Sequence, residues 1–292
     1  MARTFFLFLF LVIIVLAARA DAELFSLAPS DKVVGTIKTY TVKQEESLIE
    51  IARKFELGYN EIIEANPSLD PFVPGHEATV TIPAMWILPD IEVQEMILIN
   101  LSEFRLYYFF GSTESRFVET FPIGIGREGH YTPLGTFKVT EKIANPAWHV
   151  PESIRREKPE LPLVVPPGPD NPLGTHALRL SDKSILIHGT DKPFAVGRMA
   201  SHGCIRLYPE DIPILFTLVP KGVKVIIVRQ PIKAGVRDNR VYMEVHNDPN
   251  AEATDSDAAT LLIKKGLLER ASIEKMRETL EKKDGIPTDI TK

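Results

Sequence analysis

The pattern of hydrophobic and polar positions changes along the chain, from helical spacing near its start to strand-like spacing over most of the rest. The first helical stretch places its apolar residues on one face: Leu48, Ile51, Ala52 and Phe55. Ser47 and Glu50 form a capping box at its start. A second short helix is predicted over residues 60–65, and it ends before Pro67 because a residue that precedes proline avoids the helical conformation.

Strand-like segments at residues 39–42 and 78–82 flank these helices, so residues 35–83 are predicted to form a small βααβ domain. Residues 209–219 are predicted to form a helix that packs on the sheet of a second domain. The predicted strands of that domain are 96–100, 105–110, 116–121, 135–142, 177–180, 184–188 and 223–228. The pattern therefore predicts one mainly β domain over residues 95–230.

Two further segments interrupt or follow this domain. Residues 146–174 are rich in proline, and because strands are predicted on both sides we expect this segment to cover a cleft, with a linker as the alternative. Residues 231–292 are predicted to form a polar segment and then a helix at about 261–283, with Gly285 after its end. No chemistry is visible in this C-terminal part.

Residues 1–20 have the pattern of a secretory signal peptide. Arg3 supplies a basic start, residues 5–18 are uninterrupted apolar positions, and Ala18 and Ala20 are small residues at cleavage spacing. A membrane anchor is the alternative, but the apolar stretch is shorter than the roughly 20 residues that span a bilayer. We expect a mature chain that begins near Asp21 and works outside the cytoplasm.

Composition narrows the chemistry. A formal net charge of −5 without a long basic run argues against nucleic-acid binding. The chain contains one cysteine, Cys204, which has no partner for an internal disulfide. A single free cysteine is often only a small buried apolar side chain, so the residues around it decide its role.

Those residues are typical of cysteine nucleophiles. A predicted strand ends in His188, sixteen positions before Cys204 (204 − 188 = 16), where the imidazole can lower the thiol pKa and accept its proton. Gly203 permits close approach of the backbone, and the amides of Gly203 and Cys204 are candidate donors to an oxyanion. The guanidinium of Arg206 is suited to bidentate hydrogen bonding with a carboxylate.

Three other interpretations fit these residues less well. A metal site of His188, His202 and Cys204 is disfavoured because no fourth ligand is suitably spaced. A wall-binding protein with an inert Cys204 would not need an activated thiol. A papain-like peptidase places its cysteine ahead of its histidine, the reverse of the order here.

Two family resemblances rest on these segments. Tyr40-Thr41-Val42-Lys43, Ser47-Leu48 and Asn66-Pro67 resemble the LysM glycan-binding module, although Glu45-Glu46 stands where that family usually has Gly-Asp. The second resemblance, over residues 95–230, is to the YkuD-type L,D-transpeptidases. It rests on His188-Gly189, Ser201-His202-Gly203-Cys204-Ile205-Arg206, Phe121-Pro122-Ile123-Gly124-Ile125-Gly126, Thr132-Pro133-Leu134-Gly135-Thr136-Phe137 and residues 168–174. The whole chain is similar to the periplasmic ErfK/YbiS branch of that family.

The second resemblance implies a fold, a reaction and a set of site residues. The fold is mainly β, a YkuD-like sandwich or barrel with one packed helix. Cys204 would attack the third, diamino-acid residue of a peptidoglycan tetrapeptide stem and release D-alanine. His188 would be the base, oriented by the backbone carbonyl of Gly189. The residues that would line the donor site are Ser201, His202, Gly203 and Arg206.

The same resemblance leaves the acyl acceptor open. An amine of a second stem would give a 3→3 cross-link, a lipoprotein lysine would attach murein lipoprotein, and water would make the enzyme a carboxypeptidase. Peptidoglycan is the expected partner, with glycan contacts through the LysM-like domain, and carbapenems are the expected acylating inhibitors. No organic cofactor and no metal are implied.

Overall fold

The computed structural model describes residues 24–27, 32–43, 45–90, 95–112 and 115–292. The predicted signal peptide at residues 1–20 lies outside them. Within the described residues, none of the helices combines the length and the apolar character needed to cross a bilayer.

The elements follow one another along the chain. The strands are β1 (Leu24–Leu27), β2 (Val33–Gly35), β3 (Lys38–Thr41), β4 (Thr79–Ile82), β5 (Met85–Ile87), β6 (Met96–Asn100), β7 (Arg105–Gly111), β8 (Arg116–Pro122), β9 (Ile125–Gly126), β10 (Gly135–Ala144), β11 (Trp148–His149), β12 (Val164–Val165), β13 (His176–Leu180), β14 (Leu186–His188), β15 (Met199–Ser201), β16 (Ile205–Arg206), β17 (Lys224–Val228), β18 (Ile232–Arg237), β19 (Arg240–Val245) and β20 (Thr288–Asp289). The α-helices are α1 (Leu48–Lys54), α2 (Tyr59–Glu64), α3 (Glu152–Glu157), α4 (Asp211–Leu218), α5 (Asp255–Lys264) and α6 (Ile273–Lys282), and 3₁₀ turns occur at Pro193–Ala195 and Leu268–Arg270.

A nine-stranded sheet in the order β1-β8-β7-β6-β17-β10-β13-β14-β16 forms the centre of the molecule. The pairs β6–β17 and β14–β16 are parallel, and the other neighbours are antiparallel. All seven strands predicted for the catalytic domain belong to this sheet. The predicted helix at 209–219 is α4, which packs on β13. The mainly β fold is confirmed.

Both faces of the sheet are covered, and β6 shows why. All five of its residues are buried. Ile97 and Ile99 face a core shared with α4, whereas Met96 and Leu98 face a second core shared with the N-terminal unit. Because strand side chains alternate between faces, a continuous apolar run is what a doubly covered strand requires.

The N-terminal unit has the predicted βααβ order, with β3 paired antiparallel to β4. Ser47 Oγ accepts from the Glu50 amide, and the Glu50 carboxylate accepts from the Ser47 amide, which is the predicted capping box. Its apolar face packs on the central sheet, because residues of α1 and β4 share one core with Tyr107 and Phe109 of β7. The unit is therefore docked on the catalytic domain.

The C-terminal part differs from the prediction. The single helix expected at 261–283 is two helices, α5 and α6, since Gly266 takes a left-handed conformation (φ +66°) after α5 and Ser272 caps α6. The polar segment contains the hairpin β18–β19. Asp238 and Asn239 both have positive φ at its turn, the conformation of a type I′ hairpin.

The proline-rich segment carries the hairpin β11–β12 and helix α3. Asn171 fixes its base, because the buried side-chain amide donates to the carbonyl oxygens of Pro146 (2.9 Å) and Pro166 (3.1 Å) and its Oδ1 accepts from the Leu173 amide (2.9 Å). We call residues 146–174 the lid.

Candidate active site

Cys204 and His188 are brought together by the parallel pair β14–β16. Ile187 pairs with Ile205 and His188 with Arg206, and the Leu207 amide donates to the His188 carbonyl (2.9 Å). Extending this register by one residue pairs Cys204 with Leu186. Since alternate residues share a face, the side chains of Cys204, His188 and Arg206 project from the same side of the sheet.

His188 is buried, with 3% of its surface exposed. Its Nδ1 lies 2.6 Å from the carbonyl oxygen of Gly189. A carbonyl only accepts hydrogen bonds, so Nδ1 carries the proton and Nε2 keeps its lone pair. Burial first, and then the positive charge of Arg206, lower the His188 pKa to about 3 against the opposing effect of the Gly189 and Leu173 carbonyls. The imidazole is therefore neutral at physiological pH.

The Cys204 thiol is a protonated group in this arrangement. Sγ lies 3.6 Å from the carbonyl oxygen of Ser184, and among the described residues it makes no hydrogen bond to His188. Burial raises the thiol pKa, while the Leu186 backbone and the charges of Arg206 and Arg179 lower it less. A deeply buried imidazole resists the charge that a resting thiolate–imidazolium pair needs, so the lowering of the thiol pKa by His188 stays a prediction.

The turn ahead of Cys204 is held by hydroxyl groups. Ser201 Oγ donates to the Cys204 carbonyl (2.6 Å) and accepts from the Gly203 amide (3.1 Å), while Thr132 Oγ1 donates to the Gly203 carbonyl (3.0 Å). Gly203 has φ +101°, a conformation that favours glycine. Because Ser201 already occupies the Gly203 amide, the structure favours the Cys204 amide over it as an oxyanion donor.

Arg206 is a cation without an acidic partner. No carboxylate of the described residues lies within 4.0 Å of it, and its closest polar contact is a 3.5 Å hydrogen bond from NH1 to the Ala200 carbonyl. Burial lowers its pKa, and Asp191 opposes that change. A guanidinium held this way suits a carboxylate brought by a ligand.

Cys204, His188, Ser201, His202 and Arg206 line one cavity of about 300 Å³. The lid forms its opposite wall with Trp148, Pro151, Ile154, Lys158, Leu161, Val165, Asp170, Pro172 and Leu173. The prediction that residues 146–174 cover the cleft is thus confirmed. Gly189 and Gly203 act through their backbones, Gly189 as the acceptor for His188 and Gly203 as the hinge of the turn.

Sequence reasoning missed the other charged residues of the cavity. Asp191 and Lys192 lie in the loop that follows the strand ending at His188, after Gly189 and Thr190, and this position could have marked them as lining residues. Lys158 and Asp170 belong to the lid, and their spacing in the sequence does not predict that they line the cavity.

Known families and relatives match both the N-terminal and the mainly β part of this chain. The family model of the YkuD L,D-transpeptidase catalytic domain matches residues 94–227, and the LysM domain model matches residues 40–71. The probable L,D-transpeptidase YcfS of Escherichia coli is 36% identical over 98% of this chain and 93% of its own length. The probable L,D-transpeptidase YbiS of Escherichia coli is 40% identical over 75% of this chain and 74% of its own.

A third relative, the probable L,D-transpeptidase ErfK/SrfK of Salmonella typhimurium, is 36% identical over 91% of this chain and 93% of its own. Among solved structures, the catalytic domain of the Enterococcus faecium L,D-transpeptidase overlaps 47% of this chain and 99% of that chain, at 21% identity and a TM-score of 0.37. The assignment does not depend on that overlap. The relatives and the two family models confirm the resemblance found in the sequence: this chain belongs to the L,D-transpeptidase family, as an enzyme of the ErfK/YbiS type with a LysM domain ahead of its YkuD catalytic domain.

Proposed function

We propose that this enzyme acylates Cys204 with a peptidoglycan tetrapeptide stem and transfers the acyl group to an amine. The observation that carries the proposal is the common face of β14 and β16, which presents the thiol, a neutral imidazole and an unpaired guanidinium to one covered cavity. These are the parts of a cysteine acyltransferase, namely a nucleophile, a base and an anchor for the substrate carboxylate.

The acylation step starts from a thiol and a neutral imidazole. Rotation of the Cys204 side chain away from Ser184 turns Sγ toward His188 Nε2, which accepts the thiol proton as sulfur attacks the carbonyl carbon of the diamino acid. The C–S bond forms, the C–N bond to D-alanine breaks, and His188 returns the proton to the leaving nitrogen. The Cys204 amide donates to the oxyanion.

Transfer reverses these steps with a new amine. The amine attacks the thioester carbonyl, His188 takes a proton from it, the C–N bond forms and the C–S bond breaks. The proton then returns to the Cys204 sulfur, so the enzyme is regenerated without a cofactor. Water in place of the amine would give hydrolysis by the same steps.

The charges of the cavity fit a peptide with several ionised ends. Arg206, Lys158 and Lys192 offer positive charge for carboxylates, and Asp170 and Asp191 offer negative charge for a free amino group. Peptide stems that contain a diamino acid carry both kinds of group. Ser201 and His202 would complete the donor site together with Gly203.

The LysM domain and the N-terminal pattern support a reaction at the cell wall. We propose that the LysM domain binds peptidoglycan glycan and that residues 1–20 direct export to the periplasm, as the sequence pattern predicts. Peptidoglycan is then both the substrate and the surface on which the enzyme works. Because the acceptor is an amine, a second stem and a lipoprotein lysine are both compatible.

Mass spectrometry of the chain from Asp21 onward, incubated with tetrapeptide muropeptides, tests the proposal. We expect an acyl-enzyme on Cys204, loss of D-alanine and a 3→3 dimer, all absent from Cys204→Ala. Loss of D-alanine without a dimer, followed by a product on added lipoprotein, would identify the lysine as acceptor. An unmodified Cys204 and unchanged muropeptides would refute the proposal.

A further inference from the structure

A second polar cluster lies at the seam between the lid and the catalytic turn. His130 Nε2 is 3.4 Å from Glu157 Oε1, and His202 Nε2 is 3.3 Å from Glu157 Oε2. The three residues come from separate segments: the loop after β9, the end of α3 in the lid, and the turn before Cys204. Their ligand atoms all lie within 4.8 Å of one another.

We propose that His130, Glu157 and His202 bind a zinc ion that holds the lid closed. Zinc in proteins takes nitrogen and oxygen ligands at about 2.0–2.2 Å in tetrahedral geometry, which separates neighbouring ligand atoms by about 3.3–3.6 Å. The two measured separations, one from each histidine to a different oxygen of Glu157, are of that size, so a small shift of the carboxylate brings one of its oxygens into place with both imidazoles. A water molecule or a group of the substrate would supply the fourth ligand.

The chemistry of the donor set suits a metal. Two imidazoles and one carboxylate form the donor set of many zinc sites.

Arg127 is the competing cation at this position. Its NH2 lies 2.8 Å from Glu157 Oε2 and 3.1 Å from His202 Nε2, so it and the metal exclude one another on His202. The Arg127 side chain is 41% exposed and can withdraw into solvent. In the buried cluster of Glu103, Glu244 and His246, by contrast, the ammonium of Lys233 is 2% exposed and occupies the centre. Of these two clusters, the one formed by His130, Glu157 and His202 therefore has the cation that a metal can replace.

A metal bound to Glu157 would restrain the lid because of the position of this residue. It ends α3, and its neighbours Ile154 and Lys158 line the cavity over Cys204. The cavity, at about 300 Å³, is at the small end of the range for ligand sites, so outward movement of the lid would widen the entry for a branched peptide stem. A metal that ties Glu157 to His202 therefore slows substrate entry, a consequence that rests on the proposed function, whereas the metal site itself does not.

Zinc titration of the Cys204→Ala protein, which lacks the thiol as a competing ligand, tests the site. We expect one zinc ion per chain, with affinity reduced about tenfold or more in Glu157→Gln and in His130→Ala, because loss of a ligand costs at least as much as loss of its supporting contacts. Glu152→Gln is the matched control, since Glu152 lies on the same helix and pairs only with Arg156. Its affinity should stay within about twofold of the parent.

Hydrogen exchange supplies a readout of the lid. Zinc should slow amide exchange in residues 152–158 of the parent and of Glu152→Gln, but not of Glu157→Gln. Absence of saturable zinc binding, or equal binding by Glu157→Gln, would overturn the inference, and an active wild-type enzyme in that case would leave the proposed function intact. Zinc binding as expected by a protein that does not turn over muropeptides would support the site and refute the proposed function.

Discussion

Two histidines, His188 and His246, are buried to the same extent, each with 3% of its surface exposed, yet their pKa values move in opposite directions. Burial and the charge of Arg206 lower the His188 pKa to about 3. Burial also acts to lower the His246 pKa, but the hydrogen bond to Glu244 (2.7 Å) and the nearby carboxylates of Glu64 (3.6 Å) and Glu103 (3.9 Å) outweigh it and raise the value to about 10.

The difference lies in what each histidine faces. His188 faces backbone carbonyls and an arginine at the edge of a cavity, so it stays neutral and free to accept a proton. His246 lies at a junction of three units, with Glu64 from the LysM domain, Glu103 from the catalytic domain, and Glu244 and Lys233 from the C-terminal sheet. Burial alone therefore does not indicate chemistry, whereas burial next to an open cavity without a counter-charge does.

The largest expected effect separates the two histidines by activity. His188→Gln keeps an amide donor for the Gly189 carbonyl but removes the base, so kcat/KM should fall roughly 10²- to 10⁴-fold with muropeptide substrate. His246→Gln should retain the activity of the wild type per folded molecule. Acylation rates measured by mass spectrometry, normalised to folded protein by near-UV circular dichroism, provide the comparison.

The control for this pair is His176→Gln, a histidine on the adjacent strand β13 that packs against Phe216 outside the cavity. Its activity should match that of the wild type. If Cys204 were acylated at the wild-type rate in His188→Gln, His188 would not be the base, and the two histidines would not differ in their effect on activity.

The next effect tests the junction by stability. Lys233→Met removes the ammonium between Glu103 and Glu244, whose side chains are both 1% exposed or less. Breaking a buried ion pair by removing one partner costs about 3–5 kcal/mol, so the free energy of unfolding in urea should fall by that amount. Lys224→Met, at an exposed lysine of β17, should change it by less than about 0.5 kcal/mol. Equal stability of the two variants would contradict the junction as described.

The sequence predicts the active site and its sheet better than it predicts the charged junction around His246. Strands such as β6 and the turn at Ser201–Cys204 can be predicted from local sequence, because an apolar run indicates a buried strand and a glycine indicates a turn with positive φ. The junction does not, since Glu64, Glu103 and Lys233 are charged residues in unremarkable local patterns and their burial depends on three units docking together. The same holds for Glu157, whose approach to His202 depends on the path of the lid.

The opposite pKa shifts of the two histidines also predict opposite effects of pH on the free energy of unfolding: His246 makes it fall as pH rises, and His188 makes it fall as pH drops. His246 holds a proton in the fold that the unfolded chain releases above about pH 6.5, so its contribution is complete below that pH and is lost between about 6.5 and the folded value of about 10. His188 excludes a proton that the unfolded chain binds, so stability is lost as pH falls from about 6.5 toward 3. Each group contributes at most about 1.4 kcal/mol per pH unit.

Urea unfolding across the pH range, repeated with each variant, resolves the two effects. His246→Gln should flatten the profile between about pH 7 and 9, below the range where tyrosines titrate. His188→Gln should flatten it between about pH 4 and 6. A profile whose alkaline limb is unchanged in His246→Gln would mean that this histidine is neutral in the folded protein.

The smallest expected effect concerns a buried acidic pair, Glu56 and Asp211, that the charges of Arg105 and Arg53 compensate only in part. Glu56 of the LysM domain and Asp211 of α4 are buried close together, and burial, with the charge of Glu56, raises the Asp211 pKa well above its usual value. Burial raises the Glu56 pKa as well, against the charges of Arg105 and Arg53. Because the folded protein retains protons that the unfolded chain releases above about pH 4.5, this pair reduces stability as pH rises.

Glu56→Gln removes one charge of that pair and leaves an amide that can hydrogen-bond Asp211 in either of its protonation states. We expect the free energy of unfolding to rise by up to about 1 kcal/mol at pH 8 and to change less at pH 5, where the pair is closer to full protonation. A lower stability of Glu56→Gln at pH 8 would mean that Arg105 and Arg53 stabilise the Glu56 carboxylate by more than its burial beside Asp211 costs. The sign of this small change therefore shows whether the LysM interface resembles the compensated junction around His246 or tolerates a partly compensated acidic pair.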